Sequence, residues 1–104
     1  MEAGGSGSVK LIVRVLGPTL TQFGVPQALA DPVVEVRDVN GALVAANDNW
    51  QDTQKSEIQA SGFAPPNAAE SAIVVTRAPG NSTITVRGKN NTTGNALVEV
   101  YQIP

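Results

Sequence analysis

Short β-rich runs recur along this chain, one of them in strict apolar/polar alternation, with glycine, proline or asparagine in the stretches between them. A side-chain period of two belongs to a strand resting one face on a core. "VKLIVRVL" (9–16) puts Val9, Leu11, Val13 and Val15 on one face and Lys10, Ile12, Arg14 and Leu16 on the other, so this strand is expected to be covered on one face and partly on both. In "STITVRGK" (82–89), Ile84 and Val86 oppose Thr83, Thr85 and Arg87. In "ALVEVYQI" (96–103), Ala96, Val98 and Val100 oppose Leu97, Glu99, Tyr101 and Ile103. "VVEVRDVNGALVAA" (33–46) holds two β-rich runs around "VNG", where Asn40 and Gly41 accept positive φ, which predicts a hairpin with strands at about 33–38 and 42–46. "ESAIVVTR" (70–77) supplies a further strand, and "APGN" and "NNTTGN" read as turns.

The stretches between these runs have little room for helix. Residues 17–32, "GPTLTQFGVPQALADP", contain two glycines and three prolines, which allow only a short helical turn, expected around "PQALA". Within residues 47–70, "DTQKSEIQA" predicts one helix of about two turns, with Asp52 or Thr53 as N-cap. Six short strands with one mid-chain helix predict an all-β fold, an antiparallel β-sandwich that is jelly-roll-like or immunoglobulin-like in outline. Residues 9–104 are read as one domain of this kind, and "MEAGGSGS" (1–8) as a flexible linker or an expression scar. A chain of 104 residues buries roughly 65% of its unfolded surface, enough for a single core without staples.

Composition removes whole classes of chemistry. The chain has neither cysteine nor histidine, which excludes thiolate nucleophiles, thiolate metal sites and a Ser/His/Asp triad. Its seven cations, Lys10, Arg14, Arg37, Lys55, Arg77, Arg87 and Lys89, are scattered, and the net charge is −2, so nucleic acid is not an expected partner. No run approaches the roughly 20 apolar residues that cross a bilayer, so no membrane insertion is expected.

The string "LGPTLTQFGVPQALADPVVEVRDVNGALVAANDNWQDT", continued by "ESAIVVTRAPGNSTITVRG" and "TTGNALVEVY", resembles a repeat module of about 100 residues in large secreted and cell-surface proteins of environmental bacteria, verrucomicrobia among them. The resemblance covers about Lys10 to Ile103. The order of a D-x-N-G turn, an N-D-N segment, a long loop, an S-A-I strand and a terminal tyrosine is distantly similar to the bacterial pre-peptidase C-terminal domain, a β-sandwich accessory to secreted hydrolases. What these resemblances imply is an exported, non-catalytic module, extracellular or on the cell surface.

One segment changes character: "VAANDNWQDT" (44–53) crowds Asn47, Asp48, Asn49 and Asp52 around the only tryptophan, Trp50. Calcium takes six to eight oxygens, and Asn47, Asp48 and Asp52 with backbone carbonyls are the candidate ligands, making calcium the one cofactor to test. The competing reading is that these residues bond to their own backbone and shape the loop, with Trp50 plugging the sandwich edge beneath it. Asp48 and Asp52 as an acid–base pair would need a cleft for which this sandwich leaves little room, and Ser71 and Thr85 have no activating base, so no enzyme is expected. The sequons at Asn81, Asn90 and Asn91 read as turn chemistry. The terminal runs "VKLIVRVL" and "ALVEVYQI" are long, apolar and free of proline, so either would pair with another chain if it lay at a sheet edge; the alternative is pairing within one sandwich. Two functions therefore stand: a structural or adhesive module that self-associates into a fibre through strand edges, or a calcium-stabilised accessory domain that binds polysaccharide or a protein fibre.

Overall fold

The computed structural model describes residues 9–77 and 82–103; the 1–8 linker reading, the "APGN" turn and the Asn81 sequon lie outside the described residues. Six strands form: β1 (Val9–Leu16), β2 (Pro32–Arg37), β3 (Leu43–Asn47), β4 (Ser71–Arg77), β5 (Thr83–Gly88) and β6 (Leu97–Ile103). They make two three-stranded antiparallel sheets, ordered β4-β1-β6 and β3-β2-β5. The fold is an all-β sandwich with one short helix, α1 (Lys55–Ser61). Of the two apolar terminal runs, the first becomes a central strand, paired to β4 on one side and to β6 on the other. Only the last run reaches an edge.

The alternation in β1 becomes two cores on opposite faces of one sheet. Val13 and Val15 point at the second sheet and pack with Val34, Val36, Ile73 and Val75. Ile12 points the other way, into a cluster with Trp50, Ile58, Ala72, Val74 and Ile103. That outer face is roofed by the mid-chain segment: α1 buries Ile58, and Phe63 stacks on Tyr101 with ring centroids 4.3 Å apart. Trp50 therefore covers the face of the β4-β1-β6 sheet and does not plug the edge of the sandwich. Its position follows from its backbone N–H, which donates to Glu70 O at 2.9 Å.

Local geometry departs from the sequence expectations in three places. The helical turn of the first connection is a 3₁₀ segment at Pro18–Phe23, where Pro18 presets φ and Gly24, at φ 80°, ends the turn; "PQALA" is not helical, and Gln27 has φ 53°. The residue before α1 is Gln54, and no side chain caps the helix, because Gln54 is committed to β4 instead. In the first hairpin only Gly41 takes positive φ (84°), while Asp38 Oδ1 accepts the Asn40 and Ala42 N–H groups at 2.9 Å each and holds the turn.

A candidate interaction surface

The acidic loop is built mainly to join elements. Asn47, at the end of β3, is buried; its Oδ1 accepts the Ala72 N–H at 3.0 Å, and its Nδ2 donates to Asn49 O at 3.1 Å and Thr53 Oγ1 at 3.2 Å. Every polar atom of that side chain is thus engaged by the protein. Asp48 accepts from Lys89 Nζ at 2.8 Å, tying the end of β3 to the turn after β5. Asp52 is exposed and contacts Asn49 Nδ2 at 3.5 Å. Among the described residues, no three acidic side chains gather as a metal cluster would require.

Asp31 is the unexpected neighbour of Asp48. Burial pushes the Asp31 carboxyl above its ordinary value, and the facing Asp48 carboxylate adds to that, partly offset by Lys89. Burial also acts upward on Asp48, but the Lys89 ammonium, the facing Asp31 carboxyl and the Arg87 charge outweigh it and leave Asp48 below the ordinary value. Lys89 is correspondingly raised by its bond to Asp48. Asp31 Oδ1 and Asp48 Oδ1 are both buried with no hydrogen-bond partner among the described residues.

A second buried acid, Glu70, lies near the same end of the sandwich, where its backbone O accepts the Trp50 N–H. Glu70 is 0% exposed. Its Oε2 accepts the Gly17 and Thr19 N–H groups at 2.7 and 2.9 Å, and its Oε1 accepts Thr19 Oγ1–H at 2.8 Å and Asn67 N–H at 3.1 Å. Ser71, beside it, is buried too.

The two flanks of the sandwich are finished differently. On one flank β4 lies against β3, and β4 presents its outer edge to side chains: Gln54 Nε2 donates to Val74 O at 2.9 Å, Gln54 Oε1 accepts Val74 N–H at 2.8 Å, and Asn47 covers Ala72 N–H. Gln54 thus makes the two bonds that a neighbouring strand would make, and the edge is blocked. On the other flank β5 and β6 are both edge strands, without a strand partner on their outer sides among the described residues. Val98 and Val100 lie opposite the core residues Val15 and Val13 and share their face, yet they are 41% and 46% exposed. Between the two edges runs an open cleft of about 520 Å³, lined by Val86, Arg87 and Gly88 of β5, by Val98 of β6, and by Leu29 and the 91–96 turn.

Charge on this flank is sparse and of opposite sign. Arg87 is the only charged residue of β5; its side chain is more than half exposed and reaches Glu35 at 3.5 Å. Glu99 is the only charged residue of β6, held by Arg14 Nε at 2.7 Å and by the Tyr101 hydroxyl at 2.9 Å. Burial acts upward on the Glu99 carboxyl, but these two donors outweigh it and leave it below the usual range, while the Tyr101 hydroxyl is raised by donating to it.

The sequence alternation located Val98 and Val100 but not their exposure, which depends on how far the second sheet extends beneath them. Gln54, Glu70 and Asp31 carried no sequence signal, because each works through residues far from it along the chain. Among the described residues, no helix is long and apolar enough to cross a membrane. No protein-family model matches the chain, nor does any curated protein or solved structure.

Proposed function

We propose that the chain is a non-catalytic structural or adhesive module of a secreted or cell-surface bacterial protein, which joins other copies of itself through strand edges. The observation that supports this reading is the unequal finish of the two flanks. One edge is blocked by Gln54 and Asn47, while the other leaves two strands side by side with Val98 and Val100 exposed. Exposed apolar strand edges recruit further strands unless something covers them. The composition agrees, since a chain without histidine or cysteine lacks the usual base and nucleophile. Mass measured by light scattering across a dilution series tests the proposal: it predicts association that rises with concentration, and a strict monomer refutes it.

A second reading, a calcium-stabilised accessory domain that binds polysaccharide or a protein fibre, has one observation in its favour. The buried Oδ1 atoms of Asp31 and Asp48 have no donor among the described residues. Of the Asn47, Asp48 and Asp52 set, the Asn47 amide is engaged elsewhere, which leaves the carboxylates of Asp48 and Asp52. Calcium at 100-fold above its dissociation constant would add about 2.7 kcal/mol, equivalent to roughly 10 to 20 °C in melting for a domain of this size. Melting that is identical in calcium and in chelator rejects this reading.

A further inference from the structure

We propose that the open flank is closed by the same flank of a second copy, related by a two-fold axis along the strands, with β5 of each copy adding antiparallel to β6 of the other and Arg87 opposite Glu99. This rests on the self-associating reading above and specifies its joint.

Four observations lead to this partner. First, the outer edges of β5 and β6 lie on one flank, because the same cleft is lined by both strands. Second, β5 ends where β6 begins: Lys89 N–H donates to Asp31 O at 3.0 Å, Leu29 N–H donates to Asn95 O at 2.8 Å, and Leu29 lines the cleft with Gly88 and Val98. The two strands therefore run in opposite directions, and a rotation about the strand direction brings β5 of one copy antiparallel to β6 of the next.

Third, that rotation leaves each residue at its own level along the strands, so the level shared across the cleft sets the register. Gly88 and Val98 both line the cleft, and the proposed register sets them opposite one another, which pairs Arg87 with Glu99, Val86 with Val100 and Thr85 with Tyr101 of the second copy. In this register Val86 and Val100 meet on the inner face, continuing the valine core, and Arg87 and Glu99 meet on the outer face.

Fourth, the charges favour this pairing over the other way of joining two copies at β6. Pairing β6 with β6 about Glu99 would set two carboxylates directly opposite, whereas β5 with β6 sets a guanidinium against a carboxylate, and the two-fold makes the contact twice. The product is a pair of six-stranded sheets, each ordered β4-β1-β6 and continued by β5-β2-β3 of the second copy. No exposed strand edge remains on this flank.

The test combines a charge reversal with cross-linking in the full chain. Arg87→Glu places like charges opposite one another at both contacts and is expected to raise the dissociation constant about tenfold or more while leaving the circular dichroism of the fold intact. For cross-linking, a Val86→Cys chain is mixed with a Val100→Cys chain and oxidised. Since the natural chain has no cysteine, any disulfide must join two copies. Directly opposite residues have Cβ atoms about 4.5 to 5.5 Å apart, a small backbone adjustment from the roughly 3.5 to 4.5 Å of a disulfide, so the mixture should link and neither variant alone should.

A concentration-dependent dimer that weakens in Arg87→Glu and links only in the mixture supports the joint. Association that ignores Arg87→Glu and gives no mixed disulfide overturns it and leaves self-association through another edge standing. A monomer throughout overturns both the joint and the self-associating reading.

Discussion

Replacing Glu70 by glutamine removes one charge and adds one proton donor at a site closed to water, with almost no change in volume. The buried carboxylate accepts four hydrogen bonds, three of them from backbone N–H groups at Gly17, Thr19 and Asn67. Glutamine keeps most by placing its amide nitrogen at the Oε1 position, where the Thr19 hydroxyl turns to accept from it; the carbonyl then still receives the Gly17 and Thr19 N–H groups. Asn67 N–H loses its acceptor. Bonds to a charged acceptor contribute about 1.5 to 3 kcal/mol each and bonds to a neutral one about 0.5 to 1.5, so weakening three and losing one costs about 5 kcal/mol, and because glutamine no longer buries a charge the net loss is about 3 kcal/mol. In a domain of this size that lowers the melting temperature by roughly 10 to 20 °C, from a total stability on the order of 5 to 15 kcal/mol. The variant should therefore still fold. Glu70→Ala leaves the Gly17 and Thr19 N–H groups buried without partners and should cost more than glutamine. Urea unfolding with linear extrapolation measures the difference, with an unchanged slope expected because the surface exposed on unfolding is the same. A glutamine variant within about 0.5 kcal/mol of the parent would refute the reasoning, since the buried carboxylate would then not be what holds the first connection to the start of β4.

Two further perturbations probe the edges and the paired acids. Gln54→Ala strips two bonds from Val74 and should cost about 1 to 3 kcal/mol, with new association through the exposed β4 edge; an unchanged melt and mass would show that the edge needs no cover. Asp31→Asn should stabilise the fold at neutral pH. The raised carboxyl of Asp31 means that its charge opposes folding there, and the opposition fades as pH falls through the raised native value and is gone below the ordinary 3.8. The gain should thus shrink in acid when urea unfolding is repeated across pH, and a loss at pH 7 would contradict the assignment. Asp48 and Glu99 behave in the opposite sense. Their lowered values stabilise the fold above the ordinary 3.8 and 4.5, and that contribution is lost as pH falls through the lowered native values.

The alternation in residues 9–16, 33–46, 70–77, 82–89 and 96–103 carried the strand content, the face of each strand and the absence of long helices, because period two is a property of the backbone and needs no partner to be read. Absent histidine and cysteine likewise settled which site chemistries were unavailable before any geometry was known. Strand order was a different matter. Nothing in "VKLIVRVL" distinguishes a central strand from an edge, and only pairing with both β4 and β6 made β1 central and left "ALVEVYQI" exposed. The Asn47, Asp48 and Asp52 cluster read as a set because its members are close in sequence, yet the fold sends Asn47 to Ala72 and Asp48 to Lys89 and leaves Asp52 with Asn49. Glu70 and Gln54 are the converse: unremarkable in sequence, they became central once the chain brought Gly17 and Val74 to them. Periodicity is local and survives in the sequence; which edge is covered, and which acid is buried, depends on contacts between residues tens of positions apart, which only the folded chain brings together.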